Sequence, residues 1–95
     1  MKEYLVSVSK NPKKKYDVVS PEGKIIKFGD SGYEDYTIHK DKARKKAYLA
    51  RHGVREDWED LGKAGTWSRY LLWNKPTLIQ SSRYMERKFG IKIIF

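Results

Sequence analysis

The sequence contains no cysteine, and this absence excludes several kinds of site. Without a thiol, the chain can form no disulfide, no thiolate nucleophile and no cysteine-ligated zinc site. It also lacks the nucleophile elbow, the Walker loop and the HExxH motif that mark common enzyme classes. No apolar run approaches the ~20 residues of a membrane-spanning helix. We therefore expect a protein that is not an enzyme, holds no metal or cofactor and does not span a membrane.

Acidic residues are few relative to basic ones. The 95 residues include 21 Lys and Arg against 12 Asp and Glu, which gives a net charge of +9. A positive field of this size attracts polyanions, with nucleic acid as the first candidate and an acidic protein surface or an anionic membrane as the next. Three Trp and seven Tyr supply much of the apolar area for a core. We expect one folded domain, residues 1–95, with a polyanionic partner.

The order of hydrophobic patterns predicts an α+β fold. Short β-rich runs and turn signals favour a three-stranded antiparallel meander, and a further strand ends the chain. Between them, about three helices are expected to pack on one face of the sheet. The predicted strands cover residues 4–9, 16–19, 24–28 and 91–95, and the predicted helices begin near residues 38–40, 67 and 78. Thr66 is predicted to cap the second helix, Thr77 with Gln80 is predicted to form a capping box for the third, and Gly90 is predicted to end it.

The first helix carries the strongest functional signal, because it is rich in positive charge. Small residues at Ala43, Ala47, Ala50 and Val54 predict the face that packs on the sheet, and Gly53 is expected as a left-handed cap. Lys and Arg neutralise phosphates without reading sequence, so this helix is the candidate nucleic-acid interface. The candidate residues are Lys40, Lys42, Arg44, Lys45, Lys46 and Arg51, joined by Lys13, Lys14 and Lys15 if the sheet brings that turn to the same side.

Two other interpretations of the basic helix stay open. Its charge could be balanced by a nearby acidic segment, which would leave an ordinary solvated surface. It could equally contact an acidic protein in an assembly, because a charge patch identifies an electrostatic footprint and not its partner. The acidic segment consists of Glu56, Asp57, Glu59 and Asp60.

Aromatic residues and histidines are the remaining candidates for a binding or catalytic site. Exposed aromatics stack on unpaired bases, but in a chain this small most rings are needed for the core. The rings in question are Tyr33, Tyr36, Trp58, Trp67, Tyr70 and Trp73, and Tyr33 and Tyr36 are the ones expected to be partly exposed. His39, Asp41, His52 and Glu56 could form a metal or acid–base site. However, one helix would place the two histidines about 20 Å apart, so we expect His39 instead to buttress the helix start, bonded to Asp35 or Asp41.

A long series of residues also carries a family resemblance. The series comprises Phe28-Gly29, Gly32-Tyr33, Asp35 to Asp41, Arg44-Lys45, Tyr48, Arg51-His52, Trp58, Gly65, Trp67 to Arg69, Leu71 to Thr77 and Phe89 to Lys92. Over roughly residues 15–95, the chain resembles a family of small uncharacterised proteins encoded by large double-stranded DNA viruses of algae and protists. Where that family has a second aromatic before the Trp, this chain has Thr66. The resemblance implies a viral source and supplies no activity.

These patterns predict a non-enzymatic, basic protein, and the family resemblance implies that it is viral. We expect it to bind a polyanion, foremost DNA and without sequence specificity, through the Lys/Arg-rich helix. We also expect it to be associated with the virion, or to lie in the host cytoplasm or nucleus. One alternative is a minor capsid protein that contacts acidic shell subunits, and a third is a metal-dependent nuclease. The sequence does not indicate an oligomeric state.

Overall fold

The chain forms four strands and four helices, and the computed structural model describes all of its residues, 1–95. This confirms the predicted α+β fold. The strands are β1 (Glu3–Val8), β2 (Lys14–Val19), β3 (Ile25–Asp30) and β4 (Lys92–Ile94). The helices are α1 (Tyr36–His39), α2 (Lys42–His52), α3 (Ala64–Trp67) and α4 (Leu78–Phe89), and α3 continues as a π-helical turn over Ser68–Leu72. None of these helices combines the length and apolar character needed to cross a bilayer.

The four strands form a mixed sheet in the order β3-β2-β1-β4. The pairs β1–β2 and β2–β3 are antiparallel, whereas β4 runs parallel to β1. The prediction of a wholly antiparallel sheet is therefore wrong, and the complete order is not that of a meander. The helices form the crossover that parallel pairing requires and return the chain beside β1. The alternating pattern of β4 fits either direction, so it did not reveal this pairing.

The helices pack on one face of the sheet, where twelve buried residues form the core. The sheet contributes Tyr4, Val6, Val18, Ile26, Phe28 and Ile93, and the other members are Trp67, Tyr70, Leu71, Leu72, Met85 and Ile91. Trp67 is fully buried, with its ring 5.4 Å from that of Tyr4 and 6.1 Å from that of Phe28. Its indole N–H donates to the Leu61 carbonyl, so the polar edge of this ring is satisfied.

The single helix predicted from residues 38–40 onward is in fact two helices. Asp35 caps α1 by accepting a hydrogen bond from the Thr37 backbone N–H. Lys40 then adopts a left-handed conformation, with φ of 55°, which ends α1. Asp41 restarts the helix by accepting from the Ala43 and Arg44 backbone N–H groups. Each aspartate satisfies backbone donors that a helix start leaves unpaired, so each begins its own helix.

The buried face of α2 also differs from the prediction. Ala43, Ala47, Ala50 and Val54 are all exposed, and the buried residue is Tyr48. A tyrosine ring removes far more apolar surface from water than several methyl groups, so it determines which side of the helix faces inward. Gly53 adopts the right-handed helical conformation, with φ of −61°, so it is not the left-handed cap that was expected.

In the second half of the chain, the predicted cap at Thr66 is wrong, whereas the predicted start and end of α4 are confirmed. Thr66 does not cap α3: it is buried within the helix, and its hydroxyl donates to the Asp60 carbonyl at 2.6 Å. At α4 the N-cap half of the capping box is confirmed, because the Gln80 backbone N–H donates to Thr77 Oγ1 at 3.2 Å. The reciprocal half is not formed: the Gln80 side chain accepts from the Thr77 hydroxyl at 3.1 Å and not from the Thr77 backbone N–H. Gly90 ends α4 in the left-handed conformation, with φ of 64°, as predicted.

Candidate functional site

A cleft of about 680 Å³ lies beside α2. We call it the α2 cleft. It is lined by the start of β2, the end of β3, the loop before α1, one side of α2 and the start of α3. The lining includes Lys14, Lys15, Tyr33, Glu34, Asp35, Arg44, Ala47, Tyr48, Arg51, His52, Glu56, Gly65 and Trp73. Its volume lies within the ~300–1,000 Å³ of small-molecule sites.

A buried ion pair fixes one wall of the α2 cleft. Lys15 Nζ lies 2.5 Å from Asp35 Oδ2, and the two side chains are 14% and 3% exposed. Asp35 also caps α1 through its other oxygen, so a single carboxylate joins β2 to the helical half. Lys15 is therefore already engaged within the fold. The sequence grouped it with two free lysines, but its charge is compensated here.

A bonded loop holds Tyr33 at the α2 cleft. The Ser31 hydroxyl donates to the Pro12 carbonyl at 2.7 Å, and the Ser31 backbone N–H donates to the Lys13 carbonyl at 3.1 Å. These bonds tie the loop to the lysine turn of β2. Tyr33 is 73% exposed, as expected, whereas Tyr36 is buried at 5%, contrary to expectation.

The basic residues of α2 do not form one stripe. Arg44 and Arg51 line the α2 cleft, whereas Lys42 and Lys46 do not. At about 100° per residue, those two lysines lie roughly 150–170° round the helix from the arginines. Arg44 Nη1 is 3.7 Å from Glu34 Oε1, but both groups are at least half exposed, so the pair constrains the arginine only weakly.

Two further predicted site residues bind the protein's own backbone. Lys45 Nζ donates to the Asn74 carbonyl at 2.6 Å, and Lys40 Nζ donates to the Thr37 carbonyl at 2.8 Å. Burial, followed by the nearby charges of Arg69, Lys75 and Lys42, lowers the pKa of Lys45. A partly buried lysine surrounded by cations is poorly placed to attract a phosphate, so Lys45 has a structural role.

Of the residues predicted as one interface, only some of those in the lysine turn and the basic helix therefore lie together. Lys14 of β2 lines the α2 cleft together with Arg44 and Arg51. We call these three residues the cleft cations. Lys13 is exposed in the adjoining turn and does not line the cleft. The condition set by the sequence, that the sheet should bring the lysine turn to the side of the helix, is met for Lys14.

Four aromatic rings in contact include both histidines: Trp73 stacks on Tyr48 and Tyr48 on His52, whereas His39 is tilted against Trp73. His39 lies 5.3 Å from the Trp73 ring, Trp73 lies 4.3 Å from Tyr48, and Tyr48 lies 4.3 Å from His52. Burial and then the charge of Glu56 raise the pKa of the Tyr48 hydroxyl, so it remains protonated. The histidines occupy opposite ends of the series and do not share a site. No group of three or more His, Cys, Asp or Glu side chains is placed to hold a metal ion.

His39 supports the helix junction, although not through the expected carboxylates. Its Nδ1 accepts a hydrogen bond of 2.9 Å from the Asp41 backbone N–H. That bond places the ring proton on Nε2, which is buried without a partner. His39 therefore stabilises the turn between α1 and α2, where the left-handed Lys40 reverses the chain.

The acidic segment after α2 forms no ion pair with a Lys or Arg of that helix. Glu56 lies 3.2 Å from His52 Nδ1 and accepts from the Trp58 indole N–H at 3.0 Å. Glu59 pairs instead with Lys88. No salt bridge from this segment reaches a Lys or Arg of α2. No ion pair therefore supports the interpretation that the acidic segment balances the charge of the helix.

Sequence reasoning missed the α2 cleft itself. A Cβ at Gly65 would lie 2.1 Å from Glu56 Oε2, and a Cβ at Gly29 would lie 2.8 Å from Leu72 Cδ1. Gly29 and Gly65 both belong to the family-like series, so these two glycines were a sequence signal for the close packing. Nothing in the one-dimensional pattern, however, shows that Lys14, Tyr33 and Arg51 meet in space.

The comparisons with known proteins concern the first half of the chain. Residues 4–52 match the model of a family of unknown function, DUF5754. The match covers just over half of the chain, which therefore belongs to this family. It runs from β1 to the end of α2 and contains all three cleft cations. No curated protein and no solved structure matches the chain.

Proposed function

We propose that this member of the DUF5754 family is a non-enzymatic protein that binds nucleic acid, foremost DNA, without sequence specificity. The observation that carries the proposal is the meeting of Lys14, from β2, with Arg44 and Arg51, from α2, at one cleft. Phosphate groups neutralised there would release counterions, which is the main source of non-specific affinity. Arg44 and Arg51 also offer planar forks suited to phosphate oxygens.

The wider charge distribution supports the same function. The net charge of +9 steers a polyanion toward the whole surface. Lys13, Lys42 and Lys46 are exposed and have no salt-bridge partner, so they add to this field. Because Lys42 and Lys46 point away from the α2 cleft, we assign them to long-range attraction and the cleft cations to direct contact.

The family-like series supports a viral source. We propose a virion-associated protein, present in the particle or in the host cytoplasm or nucleus. Packaged DNA is a concentrated polyanion, so a small domain with a surplus of positive charge suits that environment.

A second candidate is a minor structural protein of the virion, in contact with other subunits. The observation that favours it is an apolar row across the sheet face that the helices leave open. Ile25 pairs with Val19, Val19 with Leu5, and Leu5 with Ile94. Leu5 and Ile25 are 47% and 59% exposed, which is typical of a contact surface. The nuclease alternative stays a prediction that no observation favours.

Binding of labelled DNA, followed by fluorescence anisotropy over a range of salt, tests the proposed function. We expect retention at ~50 mM salt and a log–log slope of about −3 for duplex DNA, because three cations each contribute close to −0.9. Failure to retain DNA at that salt concentration would overturn the proposal. Stoichiometric recovery with purified particle shells after removal of the genome would favour the structural candidate instead.

A further inference from the structure

We infer that the α2 cleft takes one unpaired nucleotide of a single-stranded nucleic acid, with the base against Tyr33 and the neighbouring phosphates on the cleft cations. The inference rests on the proposed function and makes it more specific. It concerns the kind of strand, because contact with phosphates alone would not distinguish one strand from two.

The shape and size of the site are the first reason. A volume of about 680 Å³ exceeds what an isolated phosphate needs and lies in the range that encloses a nucleotide-sized ligand. A duplex presents its phosphates on a convex surface and keeps its bases stacked inside. A concave site can enclose a base only after that base has left its stack.

The second reason is Tyr33, which is exposed beside the cleft cations. Its 73% exposure is the largest among the aromatic rings that line the cleft, so it has no core to hold it. The bonds of Ser31 to the lysine turn nevertheless fix its loop. An exposed ring on an anchored loop loses little freedom on binding, and base–aromatic stacking tolerates every base.

The third reason is the distribution of charge within the cleft. Three of its four acidic side chains are already engaged: Asp35 with Lys15, Glu34 with Arg44, and Glu56 with His52 and Trp58. The fourth, Asp30, accepts a hydrogen bond from the Gly32 backbone N–H at 2.8 Å and has no ion-pair partner. Lys14 and Arg51 have no ion-pair partner. The cleft therefore combines an exposed ring with two unpaired cations and one unpaired carboxylate, and the ring and the cations match a base joined to phosphate.

The test compares three labelled probes with the full chain at one salt concentration. The first is an oligothymidine of about 12 nucleotides, within the range of single-strand site sizes. The second is a base-free strand with the same number of phosphates, and the third is a duplex with that number. We expect the oligothymidine to bind at least about fivefold more tightly than either other probe, because only it can stack a base on Tyr33.

Two variants and their controls locate the effect. Tyr33→Ala should weaken oligothymidine binding about fivefold or more and leave the base-free strand unaffected, while Tyr33→Phe should retain the affinity. Phe95→Ala removes another exposed ring, which lies outside the cleft, and should change nothing. Ala47→Leu narrows the cleft and should weaken oligothymidine binding. Ala50→Leu, on the same exposed helix but outside the cleft, should not.

The outcomes separate this inference from the function beneath it. Equal binding of all three probes, with no effect of Tyr33→Ala, would overturn the single-strand inference and leave nucleic-acid binding in place. No binding of any probe would overturn both. Competition by free thymidine monophosphate as strong as that by the oligothymidine would assign the cleft to mononucleotides and would also overturn the strand proposal.

Discussion

Asp17 illustrates how a single polar residue can stabilise the sheet face that the helices leave open. It is 7% exposed, and its carboxylate accepts from the Ser9 hydroxyl at 2.6 Å and from Lys27 Nζ at 3.1 Å. The Ser9 hydrogen bond, followed by that of Lys27, holds the pKa of Asp17 below its usual value against the opposing effect of burial. The turn after β1 is therefore tied to β2 and β3 by one charged side chain.

We predict that Asp17→Asn lowers the free energy of unfolding by about 1–2 kcal/mol at neutral pH, because charge-assisted hydrogen bonds are lost. Since the folded pKa is depressed, the carboxylate stabilises the protein above its unfolded pKa of about 3.9. That contribution is lost as the pH falls through the folded value. Urea unfolding at neutral pH and near pH 3 should therefore show the gap between the two proteins narrowing in acid. A gap of equal size at both pH values would contradict this role.

At the scale of elements, the junction between α1 and α2 decides where the cleft side of the helix points. Lys40 adopts φ of 55°, a region that costs an ordinary residue about 1–2 kcal/mol. Asp35, His39 and Asp41 each bond to nearby backbone and offset that cost. The chain thereby turns between two short helices, and Arg44 and Arg51 come to face Lys14.

We predict that Lys40→Gly stabilises the fold by about 0.5 kcal/mol, because glycine adopts the left-handed conformation without strain and loses only part of that gain as unfolded-state entropy. Lys46→Gly is the matched control, since it removes the same charge from the interior of α2. It should destabilise the fold by about 1 kcal/mol. Thermal unfolding measures both. Destabilisation by Lys40→Gly equal to that by Lys46→Gly would show that the junction is unstrained.

Local sequence patterns predicted individual helices and strands better than they predicted how these elements pair and pack. The N-cap at Thr77 and the stop at Gly90 depend on neighbours in sequence, and both are confirmed. The parallel pairing of β4 and the inward face of α2 depend on what the rest of the chain presents. On α2, one tyrosine outweighs three alanines because burial follows area, and a search for small-residue spacing does not weigh area.

The candidate site shows the same limit. The sequence grouped six Lys and Arg residues of the helix as one surface and joined three lysines of the turn on the condition that the sheet brings them to the same side. In the structure Lys15, Lys40 and Lys45 bind groups of the protein itself, and Lys42 and Lys46 lie on another side of α2. Lys14, Arg44 and Arg51 remain together. Such a division depends on tertiary distances between segments some 30 residues apart, which no periodicity encodes.

At the scale of the whole molecule, the proposed function gives the surplus of +9 and the α2 cleft different roles. Diffuse charge raises the rate of encounter with any polyanion, and its effect fades beyond a Debye length of about 8–10 Å at moderate salt. Cations held at one concave site provide contact with individual phosphates. If both roles are real, two variants of equal net charge should differ in affinity according to where the charge was changed.

The most direct measurement is therefore the DNA affinity of two charge-reversal pairs at one salt concentration. Lys14→Glu with Arg51→Glu alters the α2 cleft, whereas Lys42→Glu with Lys46→Glu makes the same change in net charge on the other side of α2. All four side chains are exposed, so circular dichroism should show both variants folded. We predict that the cleft pair binds roughly tenfold more weakly than the other pair. Equal losses in the two variants would show that only the diffuse charge matters and would contradict a nucleic-acid site at the α2 cleft.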